Sequence, residues 1–518
     1  MERDNLNIFC KLKLSIIFAY SKQEIPIKII IQNAMNYVVS VIENLIILYF
    51  AVYFLFDLFL FFYALSIHRK KNSKKEIDYS GHSISIIVPA YNEEVSIISC
   101  VQMLSEVDYE DVEIIVVNDG SSDRTLEKLL EAYPFEIKVE NYECNISTAK
   151  VLSIRRSNAH NIVLLDKENG GKADSINAAI NYASKRYICT IDADSILDVR
   201  ALKMVVAPMI EDPRVFVSGG FLATSNDVIL EGKEVVHSPM PSNAWVLWQI
   251  VEYLKSFMIS RLALSRLNML LVMSGAFSLF KKEDLLKVGG FLSEHNDHPC
   301  VVKMVGHKRK TVCEDMEIIV RLWRFHLENR LSGKAVFLPN PVCWTEVPDK
   351  GKNLYKQRVR WHQGLGETLR IHKIMMFEPF YKTIGLAAMP YYFFFEFLAP
   401  LVKVFSLLFL TILSLVGFIN ASWMLLLLLS SLLITTLILS VITVILEIKN
   451  TKERLGNRST LRYATFWDWL KLLGFSILGS FTYEFFKVFA QLKGMVNIAL
   501  HKHEWNKFER KGIHLSTK

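Results

Sequence analysis

The sequence predicts an α/β protein fixed to a membrane: a cytoplasmic domain on a mostly parallel sheet with helices on both faces, plus α-helical transmembrane segments. Three observations carry this. At 518 residues the chain exceeds the size at which one hydrophobic core keeps growing, so more than one structural unit is expected. Its hydrophobic share of 51% and mean hydropathy of +0.25 are high for a soluble protein, and the excess lies in residues 37–67 and about 383–491. Between them, strongly apolar runs alternate with amphipathic stretches, the pattern of strands separated by helices.

Residues 37–67 hold only Glu43 and Asp57 as charges and are long enough to cross a bilayer, which needs about 20 apolar residues. Residues 1–36 form an N-terminal extension without a signal-peptide plan, and Met35, directly before the span, is an alternative start of translation. Near the C-terminus, residues 422–446 carry no charge at all. The neighbouring runs include Pro390, Glu396, Pro400, Lys403, Glu484 and Lys487, which suit kinked or interfacial helices. About three crossings are expected within 376–497, followed by a basic tail, 498–518.

Orientation follows from basic flanks. "HRKKNSKK" (68–75) and "KNTKERLGNR" (449–458) follow two of the spans, and the positive-inside tendency puts both in the cytoplasm with the domain between, residues 80–375. The net charge of +8 fits anchoring on anionic lipid; the basic residues cluster at membrane flanks, which argues against nucleic acid as a partner. Seven cysteines, with no CxxC pair, read as reduced thiols.

Within the domain, "SISIIVPAYNEE" ends in a Pro-containing loop, "VEIIVVNDGSSD" in a Gly/Ser/Asp turn, and "NIVLLDKENGGK" and "YICTIDADS" end similarly. Helical patterns cover 94–105, 124–131, 173–184 and 201–209, and residues 134–160 read as a longer loop. Runs that are apolar throughout indicate strands covered on both faces, and ligands bind at the carboxyl edge of such sheets.

The polar residues collect there. In "NDGSSD", Asp119 is placed to accept hydrogen bonds from a base or ribose, and Asp123 to cap a helix. "NGGKADSIN" sets Lys172 at a helix start, where a phosphate is favoured; the competing reading is a solvated loop lysine. Asp192 and Asp194, one residue apart, suit a hard divalent cation shared with substrate phosphates; the competing reading is a strand end plus a helix cap at Asp194. Glu314 and Asp315 precede an amphipathic stretch and read either as dipole partners or as a general base. In "KQRVRWHQG", arginines suit a diphosphate and Trp361 a sugar ring; the competing reading is a basic interfacial helix.

Taken in order, Asp119, Lys172, the Asp192–Asp194 pair, Glu314–Asp315 and "QRVRW" before membrane spans resemble the processive family 2 glycosyltransferases, among them synthases of cellulose, chitin, hyaluronan and poly-N-acetylglucosamine. The resemblance covers roughly 40–490. "QRVRW" matches the family's Q-x-x-R-W motif, "DAD" its Asp-x-Asp, and "CED" its Thr-Glu-Asp with cysteine for threonine. "WQIVEYLKSF" and "SGAFSLF" look like the segments flanking its acceptor channel.

The resemblance implies a GT-A type domain and the following roles. Tyr91, Glu93 and Asp119 would hold the uridine of a UDP-sugar, and Lys172 its diphosphate. Asp192 and Asp194 would handle nucleotide and Mg²⁺ (or Mn²⁺), with Asp194 the metal ligand. Asp315 would be the base. Glu314, Gln357, Arg358 and Trp361 would serve the acceptor and diphosphate, and Arg360 the departing nucleotide.

The expected activity is inverting transfer from a UDP-sugar to a polysaccharide, by a multi-pass enzyme of the cell membrane, with an accessory export subunit as a further partner. The alternatives are single transfer to a lipid-linked acceptor, an inactive membrane binding module, and a transporter; the last leaves the middle domain unexplained. One departure stands out. Residues 291–315 form a longer link than usual, with His295, His298, Cys300 and His307 at spacings that fit no standard zinc pattern, so a surface insertion is expected.

Overall fold

Strands that are apolar along their whole length need cover on both faces, and the fold supplies it. The computed structural model describes residues 2–69, 77–137, 144–158, 160–226, 229–231, 234–238, 240–306, 311–417, 461–462 and 465–502. The expected span at 422–446, the basic run at 449–458, His307 and the tail beyond 502 lie outside the described residues. Residues 1–58 and 59–518 are two units.

The first unit is helical. It belongs to α1 (Glu2–Arg69), whose stretch Ile29–Ile67 has mean hydropathy 2.5 and is long and apolar enough to cross a membrane. Two bent helix pairs, Ile384–Phe397 with Ala399–Leu415 (46°) and Phe466–Phe481 with Tyr483–Ala499 (50°), meet the same standard if each is one span. Length and composition thus allow one to three crossings among the described residues.

The second unit is built on β1 (Ile84–Ala90), α2 (Ile97–Leu104), β2 (Val112–Asp119), α3 (Thr125–Ala132), β3 (Glu136–Ile137), β4 (Val151–Ser157), β5 (Ile162–Lys167), α4 (Lys172–Tyr182), β6 (Tyr187–Ile191), β7 (Ser195–Leu197), α5 (Ala201–Glu211) and β8 (Val215–Thr224). The hairpin β9 (Ile229–Glu231) and β10 (Glu234–Ser238) leads to α6 (Ala244–Lys255), α7 (Leu262–Arg266), β11 (Phe277–Lys281) and α8 (Lys282–Val288). Then come α9 (Pro299–Val305), α10 (Glu314–Glu328), β12 (Lys334–Thr345) and α11 (Gly351–Ile371).

Ten strands form one sheet in the order β3-β4-β5-β2-β1-β6-β11-β8-β12-β7. Every residue of β6 and all ten of β8 are buried, as two-sided cover requires. The expectation of a mostly parallel sheet is corrected: β5-β2-β1-β6 is parallel, as is β8-β12, but the five other neighbouring pairs are antiparallel. An apolar run reports burial on both faces and carries no sign of strand direction. The expected loop at 134–160 is also corrected, since β3 and β4 lie in it; β4, with only Ile154 and Ser157 buried, has no apolar signature.

Register builds the site. Ala90 pairs with Asn118, and Asp119 with Lys167, so the parallel strands end together. Antiparallel β11 begins at the same edge, where Phe277 faces Ile191, and brings residues 274–276 beside the turn after β6.

Candidate active site

The loops after β1 and β2 are tied together. Asn92 Oδ1 accepts from the Ser122 amide at 2.8 Å, and the Glu93 amide donates to Thr125 Oγ1 at 2.8 Å. Asp123 accepts from the Thr125 amide at 3.0 Å and the Glu94 amide at 3.1 Å; the residue at the cap position of α3 is Arg124, so Asp123 stands one place ahead of its expected cap. Tyr91 and Glu93 are half-buried on the first loop, with Glu93 Oε2 accepting from Ser96 Oγ.

Asp119 is 2% exposed and holds the turn that follows β5. Its Oδ1 accepts from Lys167 Nζ at 2.7 Å and the Gly170 amide at 3.0 Å, and its Oδ2 from the Gly171 amide at 2.9 Å. Gly171 sits at φ +88°, a conformation that a side chain would strain, and α4 starts directly after it. The helix start therefore carries Lys172 to the sheet edge.

There Lys172 Nζ lies 2.5 Å from Asp192 Oδ1 and 3.8 Å from Glu314 Oε1, and donates to the Gly275 carbonyl at 2.9 Å. Burial alone would lower the ammonium's pKa, but Asp192 and Glu314 outweigh it and hold it above its ordinary value. Asp192 and Asp194 stand in the tight turn between β6 and β7, past the strand end. The cation that meets Asp192 is Lys172. Asp194 is 3% exposed, and Ser195–Leu197 after it is a strand, which removes the helix-cap reading.

Glu314 and Asp315 open α10. The Gly275 amide donates to Asp315 Oδ2 at 3.1 Å, and the Met316 amide to Oδ1 at 2.9 Å. Gly275 thus lies between the carboxylate and Lys172: a Cβ there would stand 3.1 Å from Asp315 Oδ2 and 3.4 Å from Lys172 Nζ. A pocket lined by Lys172, Thr190, Ser274, Gly275, Glu314 and Asp315 opens at this point. Burial holds the Glu314 carboxyl above its ordinary pKa, opposed by Lys172 and reinforced by Asp315.

The helix bearing these acids is anchored beneath them. Arg321 donates to Glu317 at 2.9 and 2.8 Å and to the carbonyls of Val288 and Gly290 at 2.7 Å, and His372 lies 3.2 Å from Glu317. From the other side α11 grips the approach: Glu367 Oε2 accepts from Thr311 Oγ1 and the Val312 amide, and a Cβ on Gly364 would meet Cys313 at 2.3 Å. The missing side chain at Gly364 sets how closely α11 approaches Cys313, the residue before the acids.

The "QRVRW" segment is helical, so Gln357, Arg360 and Trp361 share one face by their spacing, while Arg358 turns away from Arg360. Arg360 acts electrostatically on Glu314, and its Nε is buried with no hydrogen bond among the described residues. Trp361 is 38% exposed. Arg358 is held by other partners. Its Nη2 donates to Glu252 Oε2 at 2.6 Å and Tyr483 Oη at 3.2 Å, its Nη1 to Gln357 Oε1 at 2.6 Å, and its guanidinium lies 4.1 Å over the Trp361 ring.

In the link after α8, Phe291 and His295 contact α4, the Phe291 amide donating to Asn177 Oδ1 at 2.7 Å. His295 Nδ1 lies 3.0 Å from Asp174 Oδ2, and His298 accepts from the Cys300 amide. Among the described residues no three His, Cys, Asp or Glu side chains converge as a metal site. The sequence reading missed three participants: Lys167, Asp174 and Gly275. Lys167 follows an apolar run one strand from Asp119, and that pairing was its only signal.

Residues 85–288 match the model of glycosyl transferase family 2, and residues 187–445 that of glycosyl transferase family group 2. The chain is 26% identical over 346 residues to a poly-β-1,6-N-acetyl-D-glucosamine synthase of Staphylococcus aureus (strain COL), covering 66% of this chain and 68% of the relative. A synthase of the same name from Staphylococcus epidermidis is 27% identical over 326 residues, 63% of each chain. Among solved structures, a mannosyltransferase from Pyrobaculum calidifontis in complex with GDP-Man and Mn²⁺ aligns with TM-score 0.52 at 17% identity, over 89% of this chain and 99% of its own. That likeness is one of fold.

Proposed function

The chain belongs to glycosyl transferase family group 2, the family 2 glycosyltransferases, and on that premise we propose a membrane-bound, inverting enzyme that moves a sugar from a UDP-sugar to a growing polysaccharide. One observation carries the reading: Lys172, Asp192, Glu314, Gly275 and Asp315 meet at the carboxyl edge of the sheet, from four separate segments of the chain. The S. aureus relative, a synthase of a β-linked polymer by its name, supports a polymeric product.

Each residue then has a task. Tyr91, Glu93 and Asp119 hold the uridine; Asp119 keeps an acceptor lone pair on Oδ2 beyond its bond to Gly171. Lys172 and Arg360 meet the diphosphate, and Gln357 and Trp361 the acceptor end. Asp315, oriented by the Gly275 and Met316 amides, takes the proton of an acceptor hydroxyl while that oxygen attacks the anomeric carbon. The carbon–oxygen bond to the nucleotide breaks in the same step, so an α-linked donor gives a β-linkage. Positive charge at Lys172 and Arg360 favours the departing diphosphate.

Asp192 and Asp194 are the residues that would hold a divalent cation, Mg²⁺ or Mn²⁺. Two hard carboxylates close in sequence, one already facing the Lys172 cation, fit its preference for oxygen ligands completed by substrate phosphates. Bound there, the ion supplies neutralisation of the leaving group.

The apolar helix Ile29–Ile67 and the two bent pairs support attachment to the cell membrane, and the basic runs after the spans support a cytoplasmic active site. The test is a donor screen on the detergent-solubilised protein, reading free nucleotide and product size. Release of UDP with a long product is expected. A single-sugar product would make it a non-processive enzyme, release of GDP alone would move it to another donor class, and no release from any donor would overturn the reading.

A further inference from the structure

Lys167 ends β5 and pairs in register with Asp119, which ends β2. A lysine with no exposed surface is tolerated only when its charge is met. Here it is met twice: Asp119 Oδ1 lies 2.7 Å and Asp174 Oδ1 2.8 Å from Nζ, with the Glu168 carbonyl accepting at 2.7 Å. Asp174, also with no exposed surface, stands in the first turn of α4 and accepts from the Ala149 amide at 3.1 Å. The trio carries one surplus negative charge, directed at backbone amides: Gly170 and Gly171 on Asp119, Ala149 on Asp174. At the outer edge His295 touches Asp174. Gly170 fits tightly against the cluster, since a Cβ there would meet Asp174 Oδ1 at 2.5 Å.

Three of these contacts end on the turn that leads into Lys172, at the Glu168 carbonyl and the Gly170 and Gly171 amides, and Asp174 stands two residues beyond that lysine. We propose that Lys167 is a positioning residue of the donor site: by balancing Asp119 and Asp174 it fixes the turn before α4 and so aims Lys172 at Asp192. This rests on the donor reading above. Without the ammonium, two buried carboxylates face each other and repel, unless they share one proton. The turn they hold is then displaced at high pH and restored at low pH.

The experiment measures UDP affinity with Mg²⁺, and melting temperature, on the full-length solubilised protein from pH 5.5 to 8.5. Every arm carries His295→Gln, which removes the imidazole that touches Asp174. Lys167→Met is expected to weaken UDP about 10- to 100-fold at pH 8, the range for outer partners of a binding site, and to regain affinity as the pH falls. Lys167→Met with Asp174→Asn, which leaves one buried carboxylate, is expected to recover most of the affinity at pH 8. A folded Lys167→Met protein with the parent's affinity overturns the proposal, as does an equal loss in single and double variants at every pH. If the single variant fails to fold, the double variant decides: folding with UDP binding supports the assignment, and folding without it overturns it. A parent protein that binds no UDP removes the donor reading itself, which is a different result from an indifferent Lys167.

Discussion

The Gly275 amide donates to Asp315 Oδ2 at 3.1 Å, while the carbonyl of the same glycine accepts from Lys172 Nζ at 2.9 Å. One peptide segment thereby sets the spacing between the proposed base and the proposed diphosphate lysine. Gly275→Ala places a methyl group 3.1 Å from Asp315 Oδ2, which must give by a few tenths of an ångström, and 3.4 Å from Lys172 Nζ, at the limit of ordinary contact. The expected outcome is a fall in kcat of about tenfold, with melting temperature nearly unchanged, because small misplacement of reacting groups costs rate before it costs stability.

Arg358 gives the opposite signature. Arg358→Met removes the main partner of Glu252 and leaves Lys487 at 3.8 Å as its remaining cation. Glu252 is partly exposed, so solvent screens some of the loss, and destabilisation of about 1–3 kcal/mol is expected. Thermal melting should record it while the KM for donor stays put. A raised donor KM at unchanged stability would return Arg358 to the diphosphate.

These two residues show what the sequence could and could not tell. The central strands were legible because burial on both faces leaves unbroken apolar runs, and the acids at their ends were legible because charge is conspicuous there. The direction of β11 was not, since reversal leaves composition unchanged. Arg358 lies inside a motif, and only the helical period shows that it points away from Arg360. Lys167 was hidden because its partners come from β2 and α4, and such pairings exist only once the register does.

Glu317 predicts a pH dependence of stability. Burial alone would raise its carboxyl, but Arg321 and His372 outweigh burial and hold it at about 2, below the ordinary 4.5. A depressed carboxylate adds stability that is complete above the ordinary value and is lost as pH falls from about 4.5 toward 2, here about 3 kcal/mol. The difference in melting temperature between the parent and Glu317→Gln should be largest at pH 7 and narrow below pH 4.5.

Asp194→Ala tests the metal assignment apart from the base. UDP affinity should lose its dependence on added Mg²⁺ or Mn²⁺, by titration calorimetry with and without the ion. Unchanged metal-dependent affinity would remove Asp194 from that role.

The most direct measurement is nucleotide release and UDP binding by Asp315→Asn beside the parent, with the donor that the screen selects. The amide keeps the shape and one acceptor oxygen for the Gly275 amide, gives up the bond from Met316, and cannot take up the acceptor proton. The account predicts UDP affinity within a few-fold of the parent and transfer reduced by about 10²-fold or more, the scale of general base catalysis. Turnover at the parent's rate would contradict it.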